Sequence, residues 1–147
     1  MAEEFKPWRI QQPDRLSEPA LERWKSERPL ACPGIAAGHF EHSKMISYAL
    51  LLVSAVETNP GYKFIIFTPE RDRPAYRMTV LDESPEDAQD IFIRREDVGK
   101  FFDRQSITKF RVDANEIILF ADAGVKNYET DVYFWGNGSF QHQPVDY

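Results

Sequence analysis

"MISYALLLVSAV", residues 45–56, is the stretch whose reading decides the fold. Met45, Ile46, Tyr48, Ala49, Leu50, Leu51, Leu52, Val53, Ala55 and Val56 are all apolar or aromatic, with no alternation between them. Wound as a helix, they cover nearly the whole circumference, and a helix that is apolar on most sides is covered on most sides. Asn59-Pro60-Gly61 supplies a stop immediately afterwards. The stretch therefore predicts a central buried helix over 43–57. Ser47 and Ser54 interrupt it, and it is too short to span a bilayer.

Outward from this helix, the N-terminal side predicts a second helix. Ser17 stands as its cap, Pro29 ends it after Arg28, and Leu21 and Trp24 give it one narrow apolar face. Residues 29–38 form a connector of small residues. The first sixteen residues place Phe5, Trp8, Ile10 and Leu16 among Pro7, Pro13 and mixed charges. They read as an extended arm with a short strand at 7–11, in which Trp8 and Ile10 pack as an edge strand on the chain's own sheet. Packing against a second copy is the other outcome.

Strand signals dominate the C-terminal side. Residues 62–68 and 75–81 read as strands, the latter alternating Tyr76, Met78 and Val80 with Arg77 and Thr79. Ser84 to Asp87 starts a helical turn. Ile91–Ile93 is a short strand and Glu96–Arg104 a short helix. Strands at 106–112 and 116–121 flank a hairpin turn at 113–115. A last hairpin pairs 130–135 with 139–143 around Gly136-Asn137-Gly138. The expectation is a single α+β domain over 1–147, with N-terminal helices and an extended arm (1–16). The helix 43–57 packs on a largely antiparallel sheet of five to six strands.

Charge narrows the function. With 24 acids against 18 bases the formal charge is −6, and a negative field repels phosphate backbones, which argues against nucleic acid. The same charge suits a basic protein partner, and equally plain solubility. Cys32 is the sole cysteine, so no intramolecular disulfide forms and the bias is toward a reducing compartment. The N-terminus lacks a basic segment followed by an apolar run. A cytoplasmic location without a membrane is the expectation.

The candidate chemistry is sparse. His39-Phe40-Glu41-His42 spaces two imidazoles one helical turn apart, which can begin a zinc site. A site of Cys32, His39, His42 and His142 would consume every cysteine and histidine in the chain, with no paired-ligand frame to support it. The histidines read better as entry residues of the core helix, so no metal and no cofactor is expected. Cys32 in Cys-Pro-Gly shows no nucleophile frame. Asp82, Glu83, Glu86, Asp87 and Asp90 form an acidic run explained by a capped helix start, or by a patch that meets a basic partner. Arg77, Lys109 and Arg111 stand at alternate strand positions and read as one wet sheet face. Tyr128, Tyr133, Phe134, Trp135 and Phe140 crowd the terminal hairpin. Because strand neighbours face opposite ways, one pair has to leave the main core. Phosphate-loop, nucleophile-elbow and dinucleotide-binding patterns are missing from the sequence.

These observations point to a non-catalytic protein-binding domain of the inhibitor or immunity type, which acts by covering a protein partner. Tyr128, Tyr133 and Trp135 would anchor the contact, and Asp82, Glu83, Glu86 and Asp87 would steer it. One alternative is a small enzyme or ligand carrier, with a pocket between helix and sheet lined by His39, His42, Tyr48, Arg77 and His142. Another is an assembly protein that forms homo-oligomers through its N-terminal arm.

Overall fold

The structure is a computed structural model that describes residues 7–27, 32–42, 45–56, 58–70, 72–97, 116–123, 128–136 and 138–145. In it the deciding stretch is a strand. Met45–Ser54 runs extended, with Ser47, Ala49, Leu51 and Val53 buried on one side. Ile46 and Tyr48 are exposed on the other side, and Leu50 and Leu52 are half-buried. A period of two is present, but both sets are apolar, so hydrophobicity alone does not reveal it. The expected helix 43–57 is therefore corrected, and the α+β class with it. The described residues hold nine strands in two antiparallel sheets, one α-helix and one 3-10 turn.

The first sheet contains β1 (Trp8–Ile10), β2 (Ile35–His42), β3 (Met45–Ser54), β4 (Tyr62–Pro69) and β5 (Tyr76–Ser84). Strand β3 pairs with β4 along one edge, and β4 with β5. Its other edge is shared, β2 taking residues 45–50 and β1 residues 52–54. The handover falls at Leu51, whose carbonyl accepts from Gln11 N and whose N–H donates to Gly34 O, both at 2.9 Å. A Cβ on Gly34 would lie 2.6 Å from the Gln11 backbone; the close approach of the two strand ends requires glycine there. The expected strand at 7–11 is thus present, on the chain's own sheet.

The second sheet is a meander of β6 (Ile91–Asp97), β7 (Glu116–Ala123), β8 (Tyr128–Gly136) and β9 (Ser139–Val145). The inner faces of the two sheets share one core, in which Leu51, Phe64 and Ile66 meet Ile93, Ile118, Phe120 and Tyr133. Phe64 sets its edge on Tyr133 at 4.9 Å between ring centroids and lies 5.2 Å from Phe120. Aromatic pairs at such separations add to what their buried area contributes.

The expected N-terminal helices reduce to one short α-helix, α1 (Glu18–Glu27), and Pro13–Arg15, within the expected extended arm, is a 3-10 turn. The Ser17 hydroxyl donates to Asp90. Leu16, Ala20 and Trp24 cover Phe92, Ala121 and Ala123 on the far face of the second sheet. Residues 84–87 bend without becoming helical, with Glu86 N donating to Ser84 Oγ at 3.1 Å. Glu96, where a short helix was expected to begin, lies within β6, which runs to Asp97. The helix expected beyond it and the strand at 106–112 lie outside the described residues.

Candidate functional site

Register places the side chains of the first sheet in rows. Ala37, Tyr48, Phe67 and Met78 are direct cross-strand partners, and so are Ile35, Leu50, Ile65 and Val80. Directly opposed residues share a face, and this is the face turned away from the core. Ile35, Ile46, Tyr48, Tyr76, Met78 and Val80 are each 37–54% exposed on it. Tyr48 and Tyr76 lie 6.1 Å apart, and Ile65 is buried in the middle at 3%. These two rows hold no charged side chain. The alternation in 75–81 is present, but its apolar set faces solvent, while Thr79 and Leu81 are half-buried. A register shift at Phe64/Ile65 turns Leu81 into the core and sets Asp82 opposite Phe64.

The next row, Ile10, Leu52, Lys63 and Glu83, is where polarity returns. It borders a groove of about 530 Å³ lined by Trp8, Tyr62, Lys63, Glu83, Pro60 and Pro85 among others. Lys63 Nζ sits 5.3 Å from the Trp8 ring centroid, within cation–π range. The outer surface is thus an apolar field closed at one end by a groove that carries Trp8 and both signs of charge.

The residues singled out in the sequence do not form one surface. Tyr133 is in the core at 4% exposure, which removes it as an exposed anchor. Trp135 is half-buried against Phe140, edge-on at 4.9 Å. Tyr128 opens β8, and its side chain lies outside the description. Val132 and Phe134, which alternate with Tyr133, are buried as well, so β8 is covered on both sides at these three residues. Asp82 accepts from the Tyr62 hydroxyl at 2.9 Å. Glu83 lines the groove. Glu86 and Asp87 are exposed on the β5–β6 connection, where Asp87 Oδ1 accepts from Gln89 N at 3.0 Å.

The expected pocket of His39, His42, Tyr48, Arg77 and His142 is not assembled. Tyr48 lies on the outer face of the first sheet. Arg77 opposes the fully buried Thr68 in the register and its guanidinium donates to Glu41 at 3.0 Å. His39 is half-buried on β2, its Nδ1 3.0 Å from Met45 O, and His142 stacks on Tyr133 from β9 at 5.1 Å. His42 ends β2, and its side chain lies outside the description. The space between the layers, where that pocket was expected, is filled by Phe64, Phe120 and Tyr133. Cys32 Sγ donates to Gln11 O at 3.6 Å. Among the described residues no three His, Cys, Asp or Glu side chains gather to hold a metal.

Three expected residues from two different sets do meet. Asp82 accepts from Tyr62, His142 stacks on Tyr133, and the charges of Asp82 and Asp131 reach Tyr133, so these side chains are neighbours at the side of the core. Burial first, and then the neighbouring Asp82, hold the Tyr62 phenol well above its ordinary pKa. Burial, followed by the charges of Asp82 and Asp131, does the same to Tyr133. Burial also raises Asp131, against the opposing pull of His142. Both phenols therefore stay protonated at neutral pH, and that of Tyr62 donates to Asp82.

No protein-family model, no curated protein and no solved structure matches this chain. Among the described residues no helix is long and apolar enough to cross a membrane. The outer apolar face was missed in the sequence, although its signal was there. Tyr76, Met78 and Val80 alternate openly, and β3 is apolar on both sides.

Proposed function

We propose that the chain is a non-catalytic protein-binding domain that works by docking another protein on the outer face of its first sheet. One observation carries the reading: a contiguous apolar field of Ile35, Tyr48, Leu50, Phe67, Tyr76, Met78 and Val80, much of it open to solvent. Large exposed apolar patches mark interaction surfaces, because water penalises leaving them bare. The inhibitor or immunity type, in a cytoplasmic setting, is the form this function takes when the docked protein is foreign. The exposed Glu83, Glu86 and Asp87 then favour a basic partner through long-range attraction.

The test places a photo-crosslinking benzoylphenylalanine at position 78, with position 129 on the second sheet as control. Irradiation in native lysate should give a discrete protein adduct, a self-adduct included, from position 78 and none from position 129. A smear, or no adduct, from position 78 would end the reading.

A further inference from the structure

We infer that the protein docked on this face is a second copy of the chain, packed sheet on sheet; this rests on the face being a protein-docking surface. Three observations favour self-association. The first is composition. Faces that meet in homodimers are more apolar than transient ones and are poor in charge at their centre. The two central rows, Ala37–Tyr48–Phe67–Met78 and Ile35–Leu50–Ile65–Val80, contain no ionisable group other than the Tyr48 phenol. A face of this kind has to be covered continually, and a second copy is the one partner always present at the chain's own concentration.

The second observation is size. Four strands about 4.8 Å apart and about seven residues deep give a flat footprint of roughly 450 Å². The upright Tyr48, Tyr76 and Met78 side chains, with Ile46 and the groove rim, raise this toward the ~800 Å² per partner of a stable interface. Two antiparallel sheets pack face to face at about 10 Å when both inner faces are apolar.

The third observation is charge at the rim. Lys63 and Glu83 stand side by side in one row at the groove end, on the same face as the apolar rows. A rim carrying both signs meets its own copy without local repulsion. The whole chains, each at −6, still repel at long range, so salt should tighten the dimer by screening that repulsion.

The test is sedimentation equilibrium on the purified chain, with Met78→Glu and Val80→Glu beside it. At tens of micromolar the wild type should show a mass twice the chain's 17.1 kDa. The dimer should tighten with added salt, and each variant should weaken dimerisation by at least ~10-fold at an unchanged melting temperature. A second readout needs no variant. Peroxide oxidation of Met78 in the wild type should slow as concentration rises through the dimerisation range.

A wild-type monomer throughout that range overturns the second copy, while the docking reading is decided separately by the adduct at position 78. A dimer that survives both substitutions, loosens with salt, or leaves Met78 oxidation unslowed places the contact elsewhere and also overturns the proposal.

Discussion

Strands β3 and β7 are alike in sequence and opposite in setting. "MISYALLLVS" and "EIILFADA" are both apolar on both sides. In β7 every residue but Asp122 is buried, because the first sheet covers one side and α1 covers part of the other. In β3 only alternate residues are buried. A strand apolar on both sides is built to be covered on both sides. The second sheet finds its cover within the chain, whereas the first leaves much of one face open to solvent.

The sharpest way to break this comparison is to cut each side of β3. Leu51→Ala, on the fully buried side, should cost about 2–5 kcal/mol. Tyr48→Thr, three residues away on the open side, should cost the folded monomer ~1 kcal/mol or less. Urea midpoints measured at low protein concentration compare the two, and equal losses would mean that both faces of β3 are covered.

A smaller effect is expected where the two sheets are stitched. Gln11 is 1% exposed, and its Nε2 donates to Ala88 O at 2.7 Å and Ile91 O at 3.0 Å. Gln11→Ala should destabilise by about 1–3 kcal/mol through buried hydrogen bonds left unmade. An unchanged midpoint would show that the layers hold without this link.

The smallest effect concerns Asp131, whose acid form is favoured in the fold by burial and by the nearby Glu129 and Asp82, against His142. The unfolded chain gives up this proton at an ordinary pKa near ~3.9, before the native state does. Stability is therefore lost as pH rises from there through the raised native value, and stays lower above it. Asp131→Asn should accordingly raise the melting temperature at neutral pH, with the gain fading toward pH 3. A gain that grows in acid would reverse the sign.

Much of the strand pattern was legible in the sequence, since Tyr62–Thr68, Tyr76–Leu81 and the terminal hairpin carry alternation or turn residues that act locally. Trp8 and Ile10 were legible too, because apolar residues among prolines have few uses other than an edge strand. Residues 45–54 were not. Ala49, Leu50, Leu51 and Leu52 favour helix by propensity, and their pairing with β4 on one edge and with β2 and β1 on the other overrides it. The same Asn59-Pro60-Gly61 ends a helix or turns a hairpin. The open face was hidden for a related reason: sequence shows which residues share a side, but cover comes from another layer. Tyr133 is buried where exposure at a hairpin was expected, because the first sheet lies over it.

The stitch at Gln11 also sets an order of events in time. Each sheet is mostly a meander, in which neighbouring strands find one another across short loops and form early. The Gln11 side chain instead waits for carbonyls 77 and 80 residues further along the chain, and closing so long a loop is repaid only once both sheets exist. The strand beside it therefore leaves the ribosome ahead of the partners that the Gln11 side chain needs, and this link between the sheets closes only after they have formed.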